Sequence, residues 1–292
     1  MKEIITVDNL SKKYDKQLVF SNISFKVYSG EIIGLLGANG AGKTTLIKIL
    51  LGLTKRTTGQ VKVLLQDPQT KISKTHIGVM FQDNLIMKKV KSSELLRFLD
   101  SLYYHPISKN QLLHIADLGE NIHKYIDQLS GGQQRKLNFA LALAGNPEVL
   151  FLDEPTAAMD TNSRYHFWKY IEHLKDNGKT IIVTSHYLTE IENIATRFLF
   201  LKNHCLIHDG TLASLRQKFN SNIVTFSSNL SLKQLQITQG QLKSQNQNKY
   251  QFIVKNVDSF LPELVPNLKY IHNLQIQQIS LDDIVQKINK ES

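Results

Sequence analysis

Eight residues near the N-terminus, Gly37-Ala38-Asn39-Gly40-Ala41-Gly42-Lys43-Thr44, fit the pattern G-x-x-x-x-G-K-[ST]. No other feature restricts the fold as much, because the pattern works only where a strand enters a glycine-rich turn that opens a helix. The apolar run Glu31 to Leu36 precedes it and the amphipathic stretch Thr44 to Leu51 follows, so that context is present. Glycines let the backbone curl until successive N–H groups and the helix N-terminus face the phosphates of a nucleoside triphosphate. Lys43 adds a point charge, and the Thr44 hydroxyl is a ligand for Mg²⁺. The expected nucleotide-binding positions are Gly37, Asn39, Gly40, Ala41, Gly42, Lys43, Thr44 and Thr45.

Val149-Leu150-Phe151-Leu152-Asp153-Glu154 places two carboxylates after four apolar residues. Alone, this string reads equally as a strand followed by a solvated acidic turn. Beside a phosphate loop it reads as a buried strand presenting acids at its C-terminal end, where α/β sheets place ligands. Asp153 is then expected to hold Mg²⁺, and Glu154 to orient and deprotonate the attacking water.

Bulk composition excludes several classes. Hydrophobic residues are 41% of the 292, yet the longest nearly apolar stretches, such as Leu46 to Leu53, fall far short of the ~20 residues a membrane-spanning helix needs. The start, Met1 to Asp8, lacks the apolar core of a secretory signal, so a cytosolic location is expected. The single cysteine, Cys205, has no partner for an intramolecular disulfide and no metal-site spacing around it. Lys and Arg outnumber Asp and Glu by 35 to 25, for a net charge of +10. The positive charges are scattered, which gives little support to nucleic-acid binding and is compatible with an anionic membrane surface.

Strand-like runs at Ile4 to Val7, Leu18 to Val27 and Glu31 to Leu36 lead into the loop and its helix. From about Asp83 to Leu129 the chain has few strand signals and two helical periods, Ser92 to Tyr104 and Asn110 to Leu118. Another helical pattern follows Gly131. Apolar strands then return at Val149 to Leu152 and Thr180 to Thr184, with a helix near Ser163 to Asp176 between them. The middle region therefore reads as a helical arm, about residues 83–145, inserted in an α/β core. Beyond Lys218 the composition shifts: residues 221–292 hold 11 Gln. Strand patterns at Ile223 to Ser227, Tyr250 to Lys255 and Leu274 to Ile279, with helical ones at Val257 to Leu264 and Leu281 to Ile288, suggest a small α+β appendage. A mobile Gln-rich tail is the other reading.

Leu129-Ser130-Gly131-Gly132-Gln133 is, by itself, a Gly-Gly turn capped by serine. LSGGQ downstream of a phosphate loop and upstream of an acidic strand resembles the signature of the ABC ATPase family, and the motifs together span about residues 1–215. The resemblance implies a P-loop NTPase cassette of α/β class with a β-rich N-terminal subdomain, over residues 1–218, and an accessory unit at 219–292. It implies roles for four further residues. Gln82 resembles the glutamine that contacts Mg²⁺ and senses a transmembrane partner. His186, after Ile181 to Ser185, resembles the histidine that contacts the γ-phosphate. Tyr14 resembles the aromatic that stacks on adenine. Asp160 resembles the D-loop aspartate, although Ala157-Ala158-Met159 before it departs from the commoner Ser-Ala-Leu. Catalytic roles accordingly fall to Glu154, His186, Gln82 and Lys43, and Mg²⁺ to Thr44, Gln82 and Asp153.

In this family two cassettes associate head to tail, so that Ser130, Gly131, Gly132 and Gln133 of one close over ATP held by the other. The implied partners are a second cassette, identical or different, and a separate transmembrane permease at the cytoplasmic face of the cell membrane. A single cassette with a short arm resembles drug, antibiotic and polysaccharide exporters. Ser280-Leu281-Asp282-Asp283-Ile284-Val285 resembles the tail of such subunits. The alternative is a non-transport ABC ATPase acting on ribosomes or nucleic acid, but such proteins usually carry two cassettes or a long coiled coil. Only one set of motifs is present, and no nucleic-acid partner is expected.

Overall fold

The computed structural model describes residues 2–69, 76–83, 87–103, 106–219 and 222–290. They form two compact units, Met1–Gly210 and Thr211–Ser292.

In the first unit, apolar residues alternating with polar ones build an antiparallel sheet ordered β2-β1-β4 from β1 (Glu3–Tyr14), β2 (Gln17–Tyr28) and β4 (Thr58–Val63). β1 runs well past the Ile4 to Val7 expected from sequence. Asn9, at φ 49°, accommodates a register shift after Val7, and pairing with β2 resumes at Leu10.

The second sheet has the order β5-β6-β7-β3-β8-β9, from β3 (Ile32–Gly37), β5 (Ile77–Met80), β6 (Val149–Asp153), β7 (Thr180–Thr184), β8 (Arg197–Lys202) and β9 (Cys205–Gly210). All its pairings are parallel except β8 with β9. Every residue of β6 and β7 is buried, as expected of central parallel strands covered on both faces. Helix α1 (Lys43–Leu50) turns Leu46, Ile47, Ile49 and Leu50 into one core shared with both sheets.

The arm consists of α2 (Ser92–Leu102), α3 (Lys109–Ala116) and α4 (Gly131–Leu143). Tyr104, placed at the end of the first arm helix by its sequence period, lies outside the described residues. Leu96, Leu112, Ala116, Leu137 and Ala140 give the arm its own apolar core, distinct from that around α1. Gly78 of β5 lets α4 approach the sheet: a Cβ there would come within 2.2 Å of the Ala142 carbonyl oxygen. Helices α5 (Thr161–Asp176) and α6 (Leu188–Ile194) complete this unit.

The second unit is an antiparallel sheet, β11-β12-β10-β13, with helices. Its elements are α7 (Leu212–Phe219), β10 (Asn222–Ser228), α8 (Leu232–Leu235), β11 (Gln241–Asn246), β12 (Lys249–Val254), α9 (Val257–Leu264), β13 (Ile271–Gln278) and α10 (Leu281–Lys290). Phe226, Phe252 and Phe260 lie in its core. Strand β11 has no counterpart in the sequence reading, because Gln-Leu-Lys-Ser-Gln-Asn has too little apolar content to register as a strand. The division between the compact units falls after Gly210, and α7 packs against α10 within the second of them.

Candidate active site

The two central strands end side by side, with Asp153 of β6 paired to Thr184 of β7. The Thr184 hydroxyl donates to Asp153 Oδ1 at 2.5 Å and accepts from the Glu154 amide at 3.1 Å. The other carboxylate oxygen, Asp153 Oδ2, accepts from the Thr44 hydroxyl at 3.1 Å. One residue of α1 thus meets the acidic end of β6, although 109 positions separate them.

Glu154 is buried and holds a left-handed backbone, φ 51°. Its Oε2 accepts from the His186 amide at 2.9 Å, and Oε1 lies 3.4 Å from His186 Nε2. Burial raises its pKa above the ordinary carboxylate value, and the His186 amide, the His186 ring and Lys43 offset part of that rise. Burial lowers the Lys43 pKa below its usual value, opposed by Glu154 and Asp153. The Lys43 ammonium donates to the carbonyls of Gly37 at 2.7 Å and Ala38 at 3.1 Å. Ala38, Asn39 and Gly40 stand exposed, and Thr45 is half-buried.

Gln82 lies exposed just beyond β5 and lines a cleft of about 770 Å³ together with Thr44 and Asp153. Tyr14, at the end of β1, is 46% exposed, with the Lys12 ammonium 4.1 Å from its ring centroid. The folded chain therefore gathers Gln82, Lys43, Thr44, Asp153, Glu154 and His186 into one region.

The other positions are engaged elsewhere. Ser130 caps α4 in a reciprocal box with Gln133, and Gly131 and Gly132 form the first turn of that helix, half-buried. Asp160 caps α5, accepting from the Ser163 amide at 2.9 Å and its hydroxyl at 2.6 Å.

Two contributors are absent from the sequence reading. Thr184 looks like one more β-branched strand residue; only its register against Asp153 reveals the hydroxyl's double duty. Arg135 left one signal, a charge on the α4 face that also carries Phe139 and Ala142.

A strand, a glycine loop and a helix set beside paired acids at the strand ends define a P-loop nucleotide triphosphatase. The match to an ABC transporter family profile covers residues 20–157. The Nod factor export ATP-binding protein I of Rhizobium johnstonii is 34% identical over 215 residues, covering 70% of this chain and 68% of that protein. The linearmycin resistance ATP-binding protein of Bacillus subtilis is 32% identical over 228 residues, covering 76% and 73%. A dimeric ATP-binding cassette solved in a post-hydrolysis state with ADP and Pi is 26% identical, with a TM-score of 0.65 over 72% of this chain and 99% of that one. The chain belongs to the ABC transporter family and is an ATP-binding cassette that hydrolyses ATP. Among the described residues, no helix is long and apolar enough to cross a membrane.

Proposed function

We propose that this cassette energises a separate membrane permease from the cytoplasmic face, exporting a drug, antibiotic, lipid or polysaccharide. The names of its relatives in Nod factor export and linearmycin resistance support that reading. The observation that carries the mechanism is the placement of Glu154. Its carboxylate is held by the His186 amide at a buried strand end, one residue from the Asp153–Thr44 pair.

In this reading the exposed loop from Ala38 to Gly40 and the N-terminus of α1 receive the phosphates. Lys43 exchanges its bonds to the loop carbonyls for phosphate oxygens. A carboxylate with a raised pKa is a stronger base, so Glu154 takes the proton from the attacking water as ATP becomes ADP and phosphate. His186, at the edge of the same carboxylate, reaches the γ-phosphate, and Tyr14 offers its ring face to adenine.

The donor set suits Mg²⁺. The Thr44 hydroxyl and Asp153 carboxylate are hard oxygen ligands on a cleft that also holds Gln82. Among the described residues there is no cluster of three or more His, Cys, Asp or Glu, and Mg²⁺ commonly takes few protein ligands and completes its shell with water and phosphate. When bound, the cation neutralises charge on the phosphates.

Two such chains, identical or paired with a different cassette, face one another so that the Ser130–Gln133 helix start of one covers nucleotide on the other. The solved dimeric cassette supports this arrangement. The first unit carries the nucleotide chemistry, and the second acts as an accessory unit that regulates or stabilises the pair.

The test is capture of tagged Glu154→Gln protein with ATP from detergent-solubilised membranes of its host. A stoichiometric polytopic membrane protein is the expected companion. Ribosomes or nucleic acid in its place would overturn the transport reading.

A further inference from the structure

Arg135 is, among the described residues, the largest fully buried side chain, 1% exposed, although it bears a charge. It sits one turn into α4, immediately behind the Ser130–Gln133 segment. One arm of its guanidinium donates to the Phe81 carbonyl at 2.7 Å, and the other donates to the carbonyl of Glu154. Burying such a group is costly unless its donors are satisfied. Here one carbonyl accepts from each terminal nitrogen, while the carboxylates of Glu154, Asp153 and Asp83 counter the loss of solvent.

The two acceptors belong to the residue preceding Gln82 and to Glu154 itself. Glu154 has a positive φ, a conformation that a residue with a side chain keeps only when its surroundings hold it there. Three bonds do so. Thr184 receives the amide, the His186 amide meets the carboxylate, and Arg135 reaches the carbonyl. The first two come from β7 and the turn after it, inside the sheet that carries Glu154. Of the donors to Glu154, only Arg135 comes from the arm, whose apolar core is its own.

We propose that Arg135 is a positioning residue for hydrolysis: its guanidinium ties the Glu154 backbone and the Phe81–Gln82 turn to the signature helix, so that the placement of the arm sets the aim of the Glu154 carboxylate. The proposal rests on the reading of Glu154 as the base. Arg135 contacts no nucleotide-binding residue through these bonds, so its loss acts on turnover rather than on ATP affinity.

The experiment compares wild type, Arg135→Gln, Arg135→Lys and Glu154→Gln as full-length chains, measuring Mg·ATP turnover, ATP affinity by fluorescent-nucleotide titration, and thermal unfolding. Displacing the base by about an ångström costs roughly a hundredfold in rate, so Arg135→Gln is expected to lose kcat on that order while binding ATP as wild type does. Arg135→Lys, able to reach one carbonyl at a time, is expected to fall between the two. Wild-type kcat in a folded Arg135→Gln protein, with Glu154→Gln inactive, overturns the proposal and leaves the base assignment standing. Should Arg135→Gln fail to fold, wild-type kcat in Arg135→Lys overturns it equally. Parallel loss of affinity and kcat would reduce Arg135 to a structural prop and also overturn it. Normal turnover in Glu154→Gln instead removes the base reading itself.

Discussion

Thr184 and Asp153, the last residues of adjacent strands, share a 2.5 Å hydrogen bond that also fixes their neighbour, because the same hydroxyl accepts from the Glu154 amide. The hydroxyl is fully buried, so water cannot replace it. Thr184→Val leaves a buried N–H and a carboxylate oxygen each short of a partner, at a cost of about 1–3 kcal/mol. For a chain of this size each kcal/mol lowers Tm by roughly 2–4 °C. Calorimetry on Thr184→Val and Thr184→Ser checks this; serine retains most of the stability, and a valine variant that melts with wild type would contradict the assignment.

Two glycines of the phosphate loop should differ in tolerance. At Gly42, φ 97°, a Cβ would lie 2.8 Å from Val19 Cγ1 and 3.0 Å from Phe20 Cδ1. At Gly40, φ 81°, nothing lies within 4 Å. Gly40→Ala therefore incurs only backbone strain, about 1–2 kcal/mol, whereas Gly42→Ala adds a steric clash and displaces the start of α1. Nucleotide titration of both variants is expected to show the larger loss at Gly42; equal losses would mean that strain alone governs the loop.

The two bonds from Ser163 hold the Asp160 carboxyl down to about 2, from an ordinary 3.8. A depressed folded-state pKa stabilises above the unfolded-state value and ceases to do so as the pH falls through the folded one. The advantage of wild type over Asp160→Asn should therefore be constant at neutral pH and shrink as the pH drops from about 3.8 toward 2. Urea midpoints of the two proteins, followed down to the lowest pH at which both fold, measure it. A gap that widens on acidification would reverse the sign.

Tyr14 is exposed at the end of β1, its ring held under the Lys12 ammonium, which also donates to the Lys55 carbonyl at 2.9 Å. If adenine stacks there, Tyr14→Ala loses about 1–3 kcal/mol of nucleotide affinity, the range of base–aromatic stacking. The KM for ATP then rises while kcat at saturation is retained, and Tyr14→Phe keeps the affinity because the ring face remains. Unchanged KM in the alanine variant would place the base elsewhere.

Much of this architecture could be read locally. The phosphate loop announced itself through glycines at fixed spacing between an apolar strand and an amphipathic helix, and the strand at Thr180 to Thr184 has the bounds expected of it. The helix expected at Val257 to Leu264 is equally exact in its limits. Such patterns survive in the linear chain because periods of two and 3.6, and the conformations glycine permits, depend on near neighbours alone. Strand β11 escaped because a polar edge strand has no apolar period to betray it, and β1 ran long because pairing with two neighbours carried it through a bulge.

The sequence by itself determined many of the elements, their order and the residue types available for phosphate chemistry. Only the tertiary structure decided that Thr44 reaches Asp153 across 109 positions, that Thr184 serves two residues at once, and that Arg135 joins the arm to Glu154 and to Phe81, 54 positions away. These pairings follow from strand register and from where α4 packs on β5. Register and packing are properties of the assembled sheet and core, which no short stretch of sequence encodes.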